Sequence, residues 1–388
     1  MDEAWFDRLD STADEPAELF EHFREREFEG LTYHALSAAR HGVERGTVVL
    51  GDGTVVRGYP SVARVLALDA GLRSVFDPDE TVHVEEKLDG FNVRIVRVDT
   101  ADEASGDAED ADGTTVLAFT RGGHVCPYTT VLARERLETA AFFDDHPGRM
   151  LCAELVGPET PYTTHDYDGI ETNAFRVFGV RERAAGVPLP VAERRDLCDR
   201  YGFAQPRLFG SAEPAAAIEV VREAIADLDA AGREGVVLKA DDGHSMVKYT
   251  TEAQHHDELA YAFSLPFDLG QDFVFSRIVR EAFQAAEFDE DDERLRERAH
   301  DLGESILLPF VETIHDVATD EPVGERHTVR GDPDTVEALL YHLGQQGLSV
   351  EIIDDRWEDG ERVVEFVKAA AATRDRVEYY LEGGTYDE

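Results

Sequence analysis

Lysine carries more information than any other residue in this chain, because so little of it is left. Of the 38 lysines plus arginines in 388 residues, only Lys87, Lys239, Lys248 and Lys368 are lysine. An arginine guanidinium stays protonated and is a poor nucleophile, so lysine kept against such a bias marks work that arginine cannot do. Lys87 lies in VEEKLDGFNVR, where it ends a strand-like run and is followed by an Asp89-Gly90 turn. Alternation beyond that turn puts Asn92 and Arg94 on one face and Phe91, Val93 and Ile95 on the other. One face is then polar and set to meet a ligand, and the other is core. The chemistry this suggests is attack by a lysine amine on an electrophile held beside that polar face.

Several elements must position these groups. Residues 1 to about 80 open with a helical stretch, PAELFEHFRERE, followed by two β-rich runs around Asp52-Gly53, a hairpin signal. From about 81 to 250 the chain is mostly β in character, as in TVHVEEK, FNVRIVRV, TVLAFTR, MLCAELV, AFRVFGV, GVVLKA and SMVKYT. PVAERRDLCDRYGF and the alanine-rich stretch from Ala212 to Ala230 are helical inserts. The polar segment from Asp99 to Gly113 reads as a solvated hairpin loop. Between about 251 and 318 the pattern turns helical, with Leu295, Ala299, Leu302, Ile306, Phe310 and Ile314 forming an apolar stripe. That stripe must bury against its own chain or a second copy. The tail from His327 reads as strand, helix, strand, a hairpin at Asp359-Gly360, strand and final helix. The expected domains are therefore 1–80, 81–250, 251–318 and 319–388.

KLDG resembles motif I of the covalent nucleotidyltransferases, the superfamily of ATP-dependent DNA and RNA ligases and mRNA-capping enzymes. Five further motifs follow in order. TRGG, Thr120 to Gly123, is similar to motif Ia, and CAELVGPETPY, with Glu154, to motif III. FRVFGV, with Phe178, resembles motif IIIa; REGVVLK, with Glu234 and Lys239, motif IV; and MVKYT, with Lys248, motif V. Three of the four lysines fall inside these motifs. The longer string EEKLDGFNVR, the upstream RGYP and the helical and α/β tail resemble most the archaeal homodimeric ATP-dependent RNA ligases. The resemblance implies an α+β fold: a nucleotidyltransferase (ATP-grasp-like ligase) core of antiparallel sheets with helices. A small N-terminal domain, a helical dimerisation region and a C-terminal α/β cap complete it.

The family's reaction begins with the motif I lysine attacking the α-phosphate of ATP. Its products are lysyl-AMP and pyrophosphate; AMP then passes to an RNA 5′-phosphate, and a 3′-hydroxyl displaces it. An unperturbed lysine pKa of ~10.4 leaves almost no free amine at neutral pH, so the nucleophile must be tuned. By this resemblance Lys87 is the nucleophile and Asp89 orients it or its metal. Lys239 and Lys248 lower its pKa and hold phosphate oxygens. Asn92 and Arg94 reach ribose or phosphate, and Arg121 the nucleotide or the RNA 5′-phosphate. Glu154 holds a ribose hydroxyl or metal, Glu234 the metal, and Phe178 stacks on adenine. Glu85, on the strand face of Lys87, reads the adenine amino group, although Glu86 is an equal candidate by composition. ATP as substrate, Mg²⁺ or Mn²⁺ as the metal, and single-stranded RNA with 5′-phosphate and 3′-hydroxyl ends as partner complete the expectation. RNA circles are one possible product.

Two departures from the superfamily are visible. Met246 occupies the place two before Lys248 where many ligases carry a second lysine. There is also no pattern of evenly spaced strands after the core that would mark an OB-fold, which favours an RNA ligase over a DNA ligase or capping enzyme. Those two activities, or a silent nucleotide- or RNA-binding scaffold, are the alternatives. Composition sets the outer limits. The formal charge is −45, from 83 Asp plus Glu, which excludes nucleic-acid binding through a bulk positive field. With lysine nearly eliminated, it suits a salt-filled cytoplasm, where the Debye length falls to ~3 Å at molar salt. Three cysteines without a CxxC pair argue against a disulfide framework or zinc ribbon. No apolar run nears the ~18 residues of a membrane span.

Overall fold

The structure, a computed structural model, describes residues 3–99, 113–162, 165–264 and 267–385. Two compact units divide the chain. One is built from Met1–Val62, Gly90–Arg207 and Lys239–Ser245, the other from Ala63–Asp89, Leu208–Leu238 and Met246–Glu388. These joins differ from the consecutive boundaries expected near 80, 250 and 318, because strands distant in sequence pair within one sheet. The chain passes from one unit to the other inside the two motifs richest in chemistry, between Asp89 and Gly90 and between Leu238 and Lys239.

The first unit holds two antiparallel sheets. Phe23–Phe28, Leu31–Leu36, Val48–Leu50 and Val55–Val56 form one, in sequence order. Val48–Leu50 and Val55–Val56 flank the Asp52-Gly53 turn as expected, with Gly53 at φ +82°. The other sheet has the order Ala174–Glu182, Arg149–Val156, Phe91–Asp99, Thr114–Thr120. Most of the Asp99 to Gly113 segment lies outside the described residues, but its flanking strands pair antiparallel from Asp99 opposite Thr114. Period-two alternation buries both faces of the smaller sheet. Phe23, Leu36, Val49 and Val55 pack with Leu9 and Leu19 on one side. Tyr33, Ala35, Val48, Leu50 and Val56 meet Val96, Val98, Leu117, Phe119 and Cys152 on the other. The N-terminal sheet is thus a lid on the second sheet's core.

In the second unit a five-stranded sheet runs Leu208–Ala212, Val82–Lys87, Gly235–Ala240, Met246–Thr250, Ala63–Arg64. The last pair is parallel, so this sheet is mixed. Helices Leu68–Val75 and Pro214–Ala230 pack on it, the latter through Ala217, Val221, Ala224, Ile225 and Leu228. Three further helices follow, Glu252–Ala260, Phe267–Glu287 and Asp292–Ala318. A three-stranded antiparallel sheet follows, Gly324–Gly331, Glu361–Ala369, Val350–Glu358, covered by Pro333–Gln345 through Val336, Leu339 and Leu343, with the helix Ala371–Leu381 after it. Its hairpin turns at Asp359 and Gly360, both at positive φ, as the Asp-Gly pair predicts. No helix among the described residues is long and apolar enough to cross a membrane.

Candidate active site

Lys87 ends the strand Val82–Lys87, which is second in its sheet and anchored by buried Val82 and Val84. Its ammonium pairs with the carboxylate of Glu234, at the head of the neighbouring strand. Glu234 is 7% exposed and Lys87 22%. Burial pushes the Glu234 carboxyl above the usual range, and the charge of Asp89 adds to that. Lys87 and, less strongly, Lys248 pull the other way. Lys87, Asp89 and Lys248 therefore all act electrostatically on Glu234.

Local backbone explains why Glu234 is fixed. Gly235 has φ +141°, and a Cβ there would lie 2.3 Å from the Tyr249 carbonyl oxygen. Only glycine lets the motif IV backbone run so close to the motif V strand. The Thr251 amide donates to the Glu234 carbonyl at 3.1 Å, closing the same corner. Lys248 lies on Met246–Thr250, and its carbonyl accepts from the Val65 amide at 3.1 Å. Met246, the departure noted above, is half-buried on the same strand. Glu85 and Glu86 separate cleanly: Glu85 is buried on the face of Lys87, whereas Glu86 is half-buried on the opposite one.

The remaining candidates lie in the first unit. Asn92 and Glu154 are register partners on Phe91–Asp99 and Arg149–Val156, and the Asn92 amide donates to Glu154 at 3.4 Å. Gly90 permits this approach, since a Cβ there would sit 2.4 Å from the Leu155 carbonyl oxygen. Phe91, expected in the core, is instead half-buried and stacked on Tyr162, with ring centres 3.7 Å apart. Arg121 is exposed on the turn closed by the Thr120 and His124 backbone. Phe178 is the extra residue of a β-bulge, because the register moves from Val177 opposite Ala153 to Gly179 opposite Cys152. A bulge re-aims the side chain it carries. Tyr59 meets the Phe178 ring edge-on at 5.2 Å. Lys239 sits 5.7 Å from the ring centre and donates to the Phe178 carbonyl at 2.8 Å.

Arg94 corrects the sequence reading. It is fully buried and donates to the carbonyls of Arg57 at 2.6 Å, Gly46 at 2.8 Å and Thr120 at 2.9 Å. Burial lowers its pKa to about 10. The cause is the N-terminal sheet, which covers the face that alternation had marked as open; beyond Asn92 that face is core, with Val96 and Val98 next along it. Arg94 therefore braces the backbone of the TRGG turn and does not reach for ribose or phosphate. Tyr59 and Tyr162 went unassigned in the sequence. Tyr59 stood in the RGYP string, but only the fold puts it against Phe178.

Residues 80–250 match the RNA ligase family, and residues 261–384 match the ligase Pab1020 C-terminal region. An uncharacterized protein of Methanocaldococcus jannaschii is 36% identical over 378 residues, covering 94% of this chain and 91% of that protein. The fold is similar to that of a solved archaeal ATP-dependent RNA ligase, form 2, at 38% identity, with 98% of each chain covered and a TM-score of 0.87. Form 1 aligns at 39% identity over 94% of each chain, with a TM-score of 0.84. With the motif residues placed as described, these likenesses decide the matter: the chain belongs to the archaeal ATP-dependent RNA ligase family.

Proposed function

We propose that this chain seals RNA ends through a lysyl-AMP formed on Lys87. The observation that carries the reading is the pairing of half-buried Lys87 with buried Glu234, next to Asp89 and Lys248. In the first step the Lys87 amine forms a P–N bond to the α-phosphorus of ATP, and the bond to pyrophosphate breaks. An oxygen of the RNA 5′-phosphate then takes the adenylyl group and releases Lys87. Finally the 3′-hydroxyl attacks that 5′-phosphate, AMP leaves, and a phosphodiester remains. A paired ammonium has no lone pair to attack with, so Lys87 must first lose a proton. Glu234 is poised to accept it, because burial raises its affinity for protons. Lys248 holds phosphate charge, and Asp89 orients the lysine.

Adenine is read by Glu85 and stacked by Phe178, with Tyr59 and Lys239 fixing the ring. Asn92 and Glu154 take the ribose, and Arg121 meets the RNA 5′-phosphate. Glu234 and Asp89, which interact within one unit, are hard oxygen donors that suit a divalent cation. Bound there, Mg²⁺ or Mn²⁺ supplies neutralising charge on the phosphoryl oxygens. Residues 81–250 act as the catalytic region and 251–318 as the dimerisation region. Exposed apolar side chains on the two long helices, with Phe275 67% and Leu307 61% exposed, support a homodimer. Strands with 5′-phosphate and 3′-hydroxyl ends are the substrates, whether joined or circularised, and the −45 charge favours work at high salt.

The test is labelling with α-labelled ATP in molar KCl, using wild type and Lys87→Ala. Label that survives denaturation in wild type and is absent from the variant is expected. Folded wild type that takes no label would overturn the reading.

A further inference from the structure

Motif V is held from behind by a buried polar chain that reaches into the helices following it. Thr250 closes the strand Met246–Thr250 and lies on the same strand face as Lys248, two residues earlier. Its hydroxyl is 2.8 Å from His255 Nε2, and the Arg64 guanidinium donates to that same hydroxyl oxygen. His255 Nδ1 meets Glu281, which accepts from Arg298. Gln284 donates to the Thr250 carbonyl at 3.0 Å and accepts from Arg298 at 3.3 Å. Beyond these, Arg298 pairs with Glu290 and, at 3.2 Å, with Glu252. Thr250, His255, Glu281 and Gln284 are each 3% exposed or less.

The hydrogens can be laid along this chain in one consistent direction. Arg64 donates to Thr250, the Thr250 hydroxyl to Nε2, Nδ1–H to Glu281, and Arg298 to Glu281. That order requires a neutral His255, and burial, the largest influence on this imidazole, favours the neutral form over the opposing pull of Glu281. Bonds so aligned reinforce one another inside a low-dielectric interior. Glu252, His256 and Glu281 also have the donor types of a metal site. Arg298, however, already supplies positive charge to Glu252 and Glu281.

We infer that Thr250 and His255 are positioning residues: the relay Arg298–Glu281–His255–Thr250 fixes the motif V strand, and through it the place of Lys248. The inference rests on the reading of Lys248 as the cation that holds phosphate charge. It makes the helices Glu252–Ala260, Phe267–Glu287 and Asp292–Ala318 part of the catalytic apparatus as well as a dimerisation surface. Thr250→Val keeps the β-branched shape and removes only the hydroxyl, whereas Thr250→Ser keeps the hydroxyl.

Single-turnover lysyl-AMP formation is measured on the full chain for Thr250→Val, Thr250→Ser, His255→Gln, Lys248→Ala and the double variant Thr250→Val/Lys248→Ala. Thermal melts identify the temperature range in which each is folded. About tenfold slower adenylylation at saturating ATP is expected for Thr250→Val and His255→Gln, the order of loss that misplacement of a catalytic group gives. Thr250→Ser should restore the rate, and the double variant should be no slower than Lys248→Ala alone. If folded Thr250→Val and His255→Gln adenylylate at the wild-type rate while Lys248→Ala is impaired, the relay is merely structural and the inference falls. If Lys248→Ala is itself unimpaired, the reading of Lys248 has failed instead. Should Thr250→Val not fold, His255→Gln carries the same test, since it leaves the strand's own residues intact.

Discussion

At the scale of single residues, the Lys87–Glu234 pair is the feature with the most consequences. Glu234 is buried, and Lys87 is the first charge that offsets this burial. Lys87→Ala would therefore do more than remove the proposed nucleophile. It would leave a buried carboxylate without its main counter-charge, a change that costs up to about 3–5 kcal/mol for fully buried pairs and less for one partly open to solvent. The pH dependence has a definite sign. A carboxyl whose folded pKa is raised destabilises the fold as pH rises through that pKa, and loss of Lys87 raises it further. Thermal melts of Lys87→Ala and wild type at pH 5 and pH 8 should show the larger deficit at pH 8. An equal deficit at both would mean that Glu234 does not depend on Lys87. Lysine scarcity made Lys87 legible in the sequence. Its partner was legible only as a motif glutamate, because pairing across two strands is a tertiary fact.

At the scale of elements, turns and most strands follow from local pattern. PAELFEHFRERE, read as one helical stretch, is helix only over Pro16–Phe20 and continues as the strand Phe23–Phe28, because pairing with Leu31–Leu36 overrides local helical preference. Asp52-Gly53 and Asp359-Gly360 both make the hairpins that their sequences demand. Alternation along Phe91–Asp99 was read correctly as two faces, and the assignment of one face to ligand failed at Arg94. A strand's period says which residues share a face but not what covers it. The helices after motif V carry their own testable property. Glu252, 3.2 Å from Arg298, has its pKa raised to about 7, mainly by burial and with Glu281 and Asp229 adding to it, against the pull of Arg298 and Arg294. Such a group binds a proton on folding between its unfolded and folded pKa values, so stability falls as pH rises from about 5 to about 7. Urea midpoints across that window should fall more steeply for wild type than for Glu252→Gln. Parallel slopes would show that Glu252 does not titrate there.

At the scale of the whole molecule, the long helices expose several large apolar side chains. Phe275, Phe283, Leu295, Leu307, Leu308 and Val311 are all exposed on Phe267–Glu287 and Asp292–Ala318. The apolar period in Asp292–Ala318 was plain from sequence, but Leu302, Ile306, Phe310 and Ile314 end only half-buried within the chain. Association with a second copy would cover this surface, since apolar area removed from water contributes about 25 cal/mol per Å². Phe275→Glu/Leu307→Asp should convert a dimer to monomer in sedimentation at high salt, without loss of lysyl-AMP formation. A wild type that sediments as a monomer would place the apolar surface in another role.

What the sequence determined by itself is the family and the order of its motifs. A lysine-poor chain that keeps three of its four lysines within a series of six ordered motifs can be assigned to its family without coordinates, because the reaction constrains residue types. Periodicity likewise determined most strands and helices, since both periods are local properties of the backbone. Tertiary structure decided which side chains are turned to the site and which are enclosed. It buried Arg94 beneath the N-terminal sheet, separated Glu85 from Glu86 and re-aimed Phe178 through a bulge. It also tied Thr250 to Glu281 and Arg298 through His255. Each of these depends on contacts between segments far apart in the chain, and no local pattern of residues encodes such a contact.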